Sequence, residues 1–240
     1  MKVRLACLMG TMAVAVGLVG LVVLAMLPPA SAAPPTPLST IWIDNFDGPP
    51  LNSRWSWLNE YPAYWSLTAR PGFLRITTQQ QNNNYLIQDA PVGDYTIETH
   101  LFFEPTENFQ QGGLGLYLDD ENQLSLIRAF CGHPYCIGNG VYYDVNEGGV
   151  PSTFMLATTI QDEIWLRIVR QGNVYTGYAS ENGTDWTEVG APTIGYTPNK
   201  IGLRAGNNFQ PVGEIPADFD YFSLVDHSYR VLLPLVLRNH

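Results

Sequence analysis

The chain has 240 residues, of which 45% are hydrophobic and 14% are charged, and its formal net charge is −10 at pH 7. An acidic chain without a basic run argues against nucleic acid and anionic lipid as partners. The length is sufficient for one all-β domain with a sizeable core.

The first 33 residues have the pattern of a secretory signal peptide. Lys2 and Arg4 precede an uncharged apolar run, and the small residues of PPASAA follow it. An uncleaved membrane anchor is the alternative, because the run is long enough to cross a bilayer. The small residues favour cleavage, so we expect a secreted or cell-surface protein with no stable membrane span after cleavage. A Pro-rich linker follows at residues 34–40.

From residue 41 to residue 226, apolar and polar residues alternate with a period of two, interrupted by Gly, Pro, Asn and Asp. This pattern predicts a single all-β domain with two packed antiparallel sheets and Greek-key or jelly-roll connections. The predicted strands are residues 41–46, 53–58, 64–68, 73–78, 84–88, 95–103, 113–118, 123–130, 141–145, 152–158, 163–171, 174–180, 185–190, 200–206 and 217–225.

Two of the connections can be predicted from their chemistry. The acids Asp119, Asp120 and Glu121 lie between two runs of alternating leucines, which favours a solvated hairpin tip over a metal or catalytic cluster. Asn182-Gly183 lies between two further alternating runs and suits the two φ > 0 positions of a type I′ turn.

Cys131 and Cys136 remain once Cys7 leaves with the predicted signal peptide. In an exported protein, two cysteines this close in CGHPYC predict a small disulfide loop. The alternative is a metal site that uses His133 with both thiolates, but three ligands are too few for a structural zinc.

Six segments carry a family resemblance, in the order FDGPPLNSRWSWLNE, WSLTARPGFLRI, QQGGLGLYLDDENQLSL, WLRIVRQGNVYTGYASENGTDWTEVG, IGLRAGN and ADFDYFSL. Residues 41–225 resemble the concanavalin A-like lectin/glucanase β-sandwich that follows the catalytic propeller in family-43 β-xylosidases and arabinofuranosidases. The resemblance implies a jelly roll whose first strand lies beside its last. It also implies that the catalytic acids of those enzymes belong to the propeller, for which this chain has no room.

Related glucanase sandwiches carry paired carboxylates in the motif E-x-D-x-E, whose alternate positions place the acids on one face of a strand. That motif is absent. The nearest arrangement combines Asp218 and Asp220 with Asp44 and Asp47 on the strand predicted to lie beside them. Three interpretations stay open: a structural Ca²⁺ site, solvated acids, or a catalytic pair.

Aromatic residues are the more informative feature, with six Trp, 13 Tyr and 10 Phe. Rings beside Asn and Gln are typical of sugar sites, because ring faces contact C–H groups and amides bind hydroxyls. Trp55, Trp65, Trp165 and Phe219 are assigned to the core by their strand alternation. The predicted ligand-binding residues are Trp57, Tyr61, Tyr64, Tyr85, Tyr142, Tyr143, Asn207, Asn208 and Gln210, each of which has core, strand-face packing or a solvated turn as its alternative.

We therefore expect a secreted, non-catalytic module that binds a polysaccharide or oligosaccharide, with a separate glycosidase as a further partner. Residues 227–240 form an apolar tail that is too short to span a membrane. A glycoside hydrolase or lyase of the same fold and a protein-interaction module of the cell surface are the alternatives. Three aromatics in one groove would favour sugar binding, two carboxylates on its floor would favour an enzyme, and a flat apolar face would favour protein interaction.

Overall fold

The computed structural model describes residues 40–81 and 84–227. The predicted signal peptide, the linker up to residue 39 and the tail beyond residue 227 lie outside these residues. The described backbone is all β, with one short 3₁₀ turn at Pro62–Tyr64 and no α-helix. The predicted fold class is confirmed.

Eight strands form the first sheet. In spatial order they are β13 (Thr187–Gly190), β12 (Val174–Ser180), β11 (Glu163–Gln171), β6 (Tyr95–Phe102), β15 (Pro216–Asp226), β4 (Leu74–Thr77) and β3 (Trp65–Ser66), and β1 (Thr40–Asp44) also pairs with β15.

Seven strands form the second sheet. In spatial order they are β10 (Val150–Ala157), β9 (Gly138–Glu147), β8 (Asn122–Cys131), β7 (Gln111–Asp119), β14 (Lys200–Gly206), β5 (Tyr85–Asp89) and β2 (Ser56–Leu58).

The first described strand pairs with the last one. β1 and β15 are antiparallel, with Ile41 opposite Val225 and Ile43 opposite Ser223. The strand order is not sequential in either sheet, as expected of jelly-roll connections. The pairing that the resemblance implied is therefore present.

The core lies between the two sheets and follows from the period-two pattern. Leu114 and Leu116 of β7 and Leu124 and Leu126 of β8 are fully buried, while the residues between them point to the other face of the second sheet. Each leucine buried in this way contributes about 1.5–3 kcal/mol relative to an exposed one. Ser125, between the last two leucines, therefore belongs to the outer face of the second sheet.

The acidic run at the tip of the β7–β8 hairpin is exposed, as predicted. The Asp119 carboxylate accepts hydrogen bonds from the Glu121 N–H at 3.0 Å and the Asn122 side-chain amide at 2.9 Å. These bonds close the turn, so Asp119 has a local structural role.

The prediction of a type I′ turn at Asn182-Gly183 is wrong. Gly183 has φ +74°, but Asn182 does not have a positive φ. Instead, the Asn182 side-chain oxygen accepts hydrogen bonds from the N–H groups of Thr184 at 2.9 Å and Asp185 at 2.8 Å. The side chain thus replaces a backbone turn, which is a common use of Asn in connections.

The core assignment of Trp165 is also wrong, whereas Trp55 and Phe219 are buried as predicted. Ile164 and Leu166 occupy the core, so Trp165 lies on the outer face of the first sheet. There it stacks on the His100 ring, with 3.8 Å between ring centroids. Trp65 is only partly buried, although it packs against the core.

Candidate functional site

A groove crosses the outer face of the second sheet. Three depressions, of about 180, 420 and 380 Å³, form it, and neighbouring depressions share wall residues. Asp144 and Asn208 line the first and second, whereas Gln123, Arg204 and Phe209 line the second and third. The groove runs from β10 at one edge of the sheet to β2 at the other.

Outward-facing residues of this sheet are buried, which shows that its outer face is recessed. Tyr85, Ile127 and Tyr142 are 7%, 2% and 5% exposed, although they alternate with core residues on their strands. On a flat, open sheet such side chains would be exposed. The sequence pattern assigned them to the outer face but did not indicate that loop residues such as Phe109 and Asn208 wall this face.

One end of the groove is built around Tyr85. Its ring lies over Gly115, where an added Cβ would be 1.7 Å from the Tyr85 hydroxyl. Tyr117 packs edge-on against it with ring centroids 6.1 Å apart, and the Arg204 guanidinium carbon is 5.6 Å from the Tyr85 ring centroid. The Tyr85 hydroxyl is buried without a hydrogen-bond partner, and this burial raises its pKa, so it remains protonated as a donor.

The middle of the groove contains Asp144. Its carboxylate accepts a hydrogen bond from the Thr153 hydroxyl at 2.7 Å. Burial raises the pKa of Asp144, while the Thr153 bond and the positive charge of Arg204 act in the opposite direction. Arg204 is fixed beside it by a 3.0 Å hydrogen bond to the Ser125 hydroxyl.

The other end is apolar and is closed by the cysteine loop. Cys131 and Cys136, whose sulfur atoms lie at bonding distance, pack with Ile127 and Tyr142 and line the depression. The Tyr142 hydroxyl donates to the Gly138 carbonyl at 2.7 Å. This bond ties Tyr142 on the groove floor to the first residue of β9.

Two phenylalanines at the rim have unusual backbones. Phe109 and Phe209 have φ +75° and +64° and are 42% and 66% exposed. Left-handed backbone is a true outlier for bulky residues, and such strain is concentrated at binding and catalytic sites. Both line the groove, Phe109 at its apolar end and Phe209 across the second and third depressions.

The predicted ligand-binding residues are divided among different places. Tyr85, Tyr142 and Asn208 line the groove. Tyr143 and Asn207 are fully buried, which corrects their assignment to a ligand surface, because Tyr143 faces the core from β9 and the Asn207 side chain donates to the Val212 carbonyl.

Trp57, Tyr61 and Tyr64 line none of the three depressions. They belong to two ring pairs that we call the edge patch: the Trp57–Trp65 ring centroids are 4.9 Å apart, and the Tyr61–Tyr64 ring centroids are 5.0 Å apart. Tyr61 is 45% exposed there. The remaining predicted residue, Gln210, is half-buried and lines none of the three depressions.

The predicted metal ligands Asp218 and Asp220 bind cationic or imidazole groups instead. The Asp218 oxygens lie 2.6 and 2.7 Å from the Arg75 guanidinium, and Arg70 adds a contact at 3.3 Å. Asp220 contacts the His100 Nδ1 atom at 3.1 Å. The two arginines already neutralise Asp218, so a cation gains little there.

The other two predicted ligands are also separate. Asp44 accepts hydrogen bonds from the Trp55 indole at 2.8 Å and the Phe46 N–H at 3.0 Å, and Asp47 is exposed. Within residues 40–81 and 84–227, no group of three or more His, Cys, Asp or Glu side chains is arranged to hold a metal. The four aspartates therefore do not form the predicted ligand set, and Ca²⁺ binding stays a prediction.

Residues 43–225 match the family model of the β-xylosidase C-terminal concanavalin A-like domain, which is more than half of the chain. The chain belongs to this family. The β-xylosidase C-terminal domain is thus the whole of the described fold, and the resemblance read from the sequence is confirmed.

Three similar proteins are much longer than the part that matches this chain. The chain is 24% identical to the non-reducing end alpha-L-arabinofuranosidase BoGH43B of Bacteroides ovatus, over 77% of this chain and 38% of that protein. Among solved structures, it is similar to the GH43 protein BlXynB of Bacillus licheniformis, with TM-score 0.68, 23% identity and coverage of 76% and 39% of the two chains. The xylan beta-1,4-xylosidase of Bacillus halodurans C-125 gives TM-score 0.67 and 21% identity, with coverage of 82% and 41%.

The chain spans about 40% of the length of these relatives, and the matched part has the domain's fold. In the part of the chain that the structure describes, no helix is long and apolar enough to cross a membrane.

Sequence reasoning missed Arg204, Asp144 and the two rim phenylalanines. Arg204 and Asp144 alternate with core residues, so their phase already assigned them to the outer face. What the sequence did not contain was the pairing of β14 with β7, and of β8 with β9, which places both residues in one groove.

Proposed function

We propose that the protein is a non-catalytic carbohydrate-binding module whose groove holds a stretch of a polysaccharide or oligosaccharide. The observation that carries this proposal is the convergence of aromatic rings with amide, guanidinium and carboxylate groups along one recessed face. Ring faces bind the C–H faces of sugars, and polar groups among them bind hydroxyls. The names of the relatives, an arabinofuranosidase and a xylan xylosidase, suggest plant polysaccharide.

The groove favours binding over hydrolysis by the same fold. Glycoside hydrolysis uses two carboxyl groups, about 5–5.5 Å apart in retaining enzymes and about 6.5–9.5 Å apart in inverting enzymes. Asp144 lines the first two depressions and Asp120 lines the third, so each depression is lined by one carboxylate among the described residues. The opposite outcome, sugar release, is measured directly in the test below.

The test uses purified protein from a host that expresses the full chain. Binding to xylan, arabinan, cellulose and β-glucan is measured by pull-down and calorimetry, with reducing-sugar release followed in parallel. We expect binding to at least one polysaccharide without release. Release would indicate an enzyme, and absence of binding to all of them would contradict the proposal.

Phe209→Ala is the variant that locates the site. Removal of an exposed rim ring should weaken binding about tenfold, or ~1.4 kcal/mol, as for an aromatic hot spot. Tyr135→Ala is the matched control, because Tyr135 is 84% exposed and does not line the groove. Tyr61→Ala tests the edge patch, and a larger loss there than in Phe209→Ala would move the site to that patch.

A separate glycosidase is a second candidate partner. The exposed rings of Phe109 and Phe209 are large apolar groups on a protein surface, as found in protein interfaces. The relatives carry this domain within much longer chains. Co-elution of the purified protein with a family-43 catalytic propeller in gel filtration, lost in Phe209→Asp, would support this partner.

We also propose that the protein acts outside the cytoplasm, as a secreted or cell-surface protein. The pattern of residues 1–33 supports this location. N-terminal sequencing of protein recovered from the medium should give a chain that begins after Ala32 or Ala33. Protein that stays in the cytoplasm at full length would contradict this proposal.

A further inference from the structure

The Tyr85 end of the groove has hydrogen-bond donors without acceptors. Arg204 donates through Nη1 to Ser125 and, at 3.5 Å, to Gln123, while its Nε and Nη2 atoms donate to no described residue. The buried Tyr85 hydroxyl has no partner either. The unpaired Nε and Nη2 atoms of the guanidinium fork can donate to an acceptor-rich ligand, and the buried phenol O–H beside them is a donor that is costly to leave unpaired.

The charges of Arg204 and Asp144 interact, but the two residues do not form an ion pair. In the described part of the chain Arg204 forms no ion pair, whereas Arg75 and Arg167 pair with Asp218 and Glu98. The two groove carboxylates have their own donors: Asp144 accepts from Thr153, and Asp120 accepts from Tyr117 at 3.0 Å. The free face of the guanidinium is therefore available to a ligand carboxylate, which it matches in geometry.

We propose that this end of the groove binds the carboxylate of a uronic acid residue carried by the polysaccharide, with Arg204 and Tyr85 as its hydrogen-bond donors. The inference rests on the groove being a polysaccharide site, and it narrows the ligand to an acidic chain. Phe209, which lines the same depression, supplies an apolar face for the sugar ring.

The decisive comparison uses one polysaccharide in two forms. Xylan substituted with glucuronic acid is compared with the same xylan after its carboxyl groups have been reduced to alcohols, so only the charge and one oxygen of each uronic acid change. We expect the acidic form to bind at least tenfold more tightly at low ionic strength, as for a hydrogen bond to a charged group. The preference should shrink in about 1 M salt, where the screening length is about 3 Å.

Three variants assign the preference to the two donors. Arg204→Gln should abolish the preference and leave the affinity for reduced xylan within about threefold, and Arg204→Lys should keep only part of it, because an ammonium lacks the fork. Tyr85→Phe keeps the ring and should reduce the preference about tenfold. Arg54→Gln is the control for net charge, because Arg54 is exposed, lies outside the groove and forms no ion pair in the described chain.

The outcomes separate this inference from the proposed function. Equal binding of both xylans, or equal losses for both in Arg204→Gln, would overturn the uronic acid assignment and leave polysaccharide binding intact. Failure of the native protein to bind any polysaccharide would overturn both. Thermal unfolding verifies that each variant is folded; if Arg204→Gln is not, Tyr85→Phe decides alone, because it removes only a hydroxyl group.

Discussion

Gly115 is a single residue on which the shape of the groove depends. It lies on the outer face of β7, and the Tyr85 hydroxyl occupies the space that a side chain would take. The absence of a Cβ lets the Tyr85 ring lie against the sheet, where its hydroxyl is buried while the residue lines the groove.

We predict that Gly115→Ala weakens polysaccharide binding about tenfold and has little effect on stability. The added Cβ would be 1.7 Å from the Tyr85 hydroxyl, so the ring must move away from the sheet. The moving group is the end of a side chain, so the free energy of unfolding should change by less than about 1.5 kcal/mol. Calorimetry with the bound polysaccharide and thermal unfolding measure the two quantities. An unchanged affinity would contradict a role for the position of the Tyr85 ring in polysaccharide binding.

Part of the site could be predicted residue by residue. Tyr85 follows the polar loop QQQNNN and Tyr142 follows the two cysteines, and both line the groove. Tyr143 was selected by the same argument, yet it is fully buried. Adjacent residues of a strand point to opposite faces, so only one of Tyr142 and Tyr143 can face the groove. The sequence did not say which sheet face would be recessed.

Glu181 fixes the connection between strands β10 and β11. Its carboxylate accepts hydrogen bonds from the Thr158 hydroxyl at 2.6 Å, and from the N–H and hydroxyl of Thr159 at 2.6 and 2.8 Å. These bonds lower the pKa of Glu181 to about 2, with the Thr158 hydroxyl making the largest contribution. A carboxylate at the end of β12 thus holds a loop that is distant in sequence.

We predict that Glu181→Gln reduces the acid sensitivity of the protein. A depressed pKa stabilises the fold above the ordinary pKa of about 4.5, and that contribution is lost as the pH falls from there through about 2. The variant should be less stable at pH 7 and should lose less stability between pH 7 and pH 3. Urea unfolding at both pH values measures this. Glu121→Gln, at an exposed hairpin tip, is the control, and equal pH dependence in both variants would contradict the assignment.

The sequence predicted which segments form strands and hairpins more accurately than it predicted where those strands begin and end. The predicted strand at 163–171 has the same bounds as β11, because its alternation is regular. The predicted strands at 53–58 and 64–68 shorten to β2 (Ser56–Leu58) and β3 (Trp65–Ser66). β3 is the last strand at one edge of the first sheet, and β2 is the last strand at one edge of the second sheet. At a sheet edge, tertiary packing rather than the local sequence pattern decides where strand pairing stops.

The strand order of the second sheet sets the direction of the groove. It crosses the second sheet from β10 to β2, perpendicular to the run of each strand. Seven strands have six spacings of about 4.8 Å, which gives a length of about 29 Å. A site of that length contacts several sugar residues rather than one chain end.

We predict that affinity rises with oligosaccharide length and reaches a plateau once the extended oligosaccharide approaches about 29 Å. Each added unit fills another part of the groove until the edges of the sheet are reached. Calorimetry with a series of oligosaccharides from the polysaccharide that binds best is the measurement. Maximal affinity for a monosaccharide would contradict a groove that binds along its whole length.

The sequence by itself determined the all-β fold, the family and the exposed acidic hairpin, because period-two alternation and turn residues act locally. Only the tertiary structure decided where the site lies. Arg204, Asp144 and Tyr85 belong to strands far apart in sequence, and the non-sequential order of β9, β8, β7, β14 and β5 brings them to one face. The same long-range pairing gave Asp218 two arginine partners, Arg70 and Arg75. Contacts of this kind depend on strand order and register between distant strands, which local alternation does not encode.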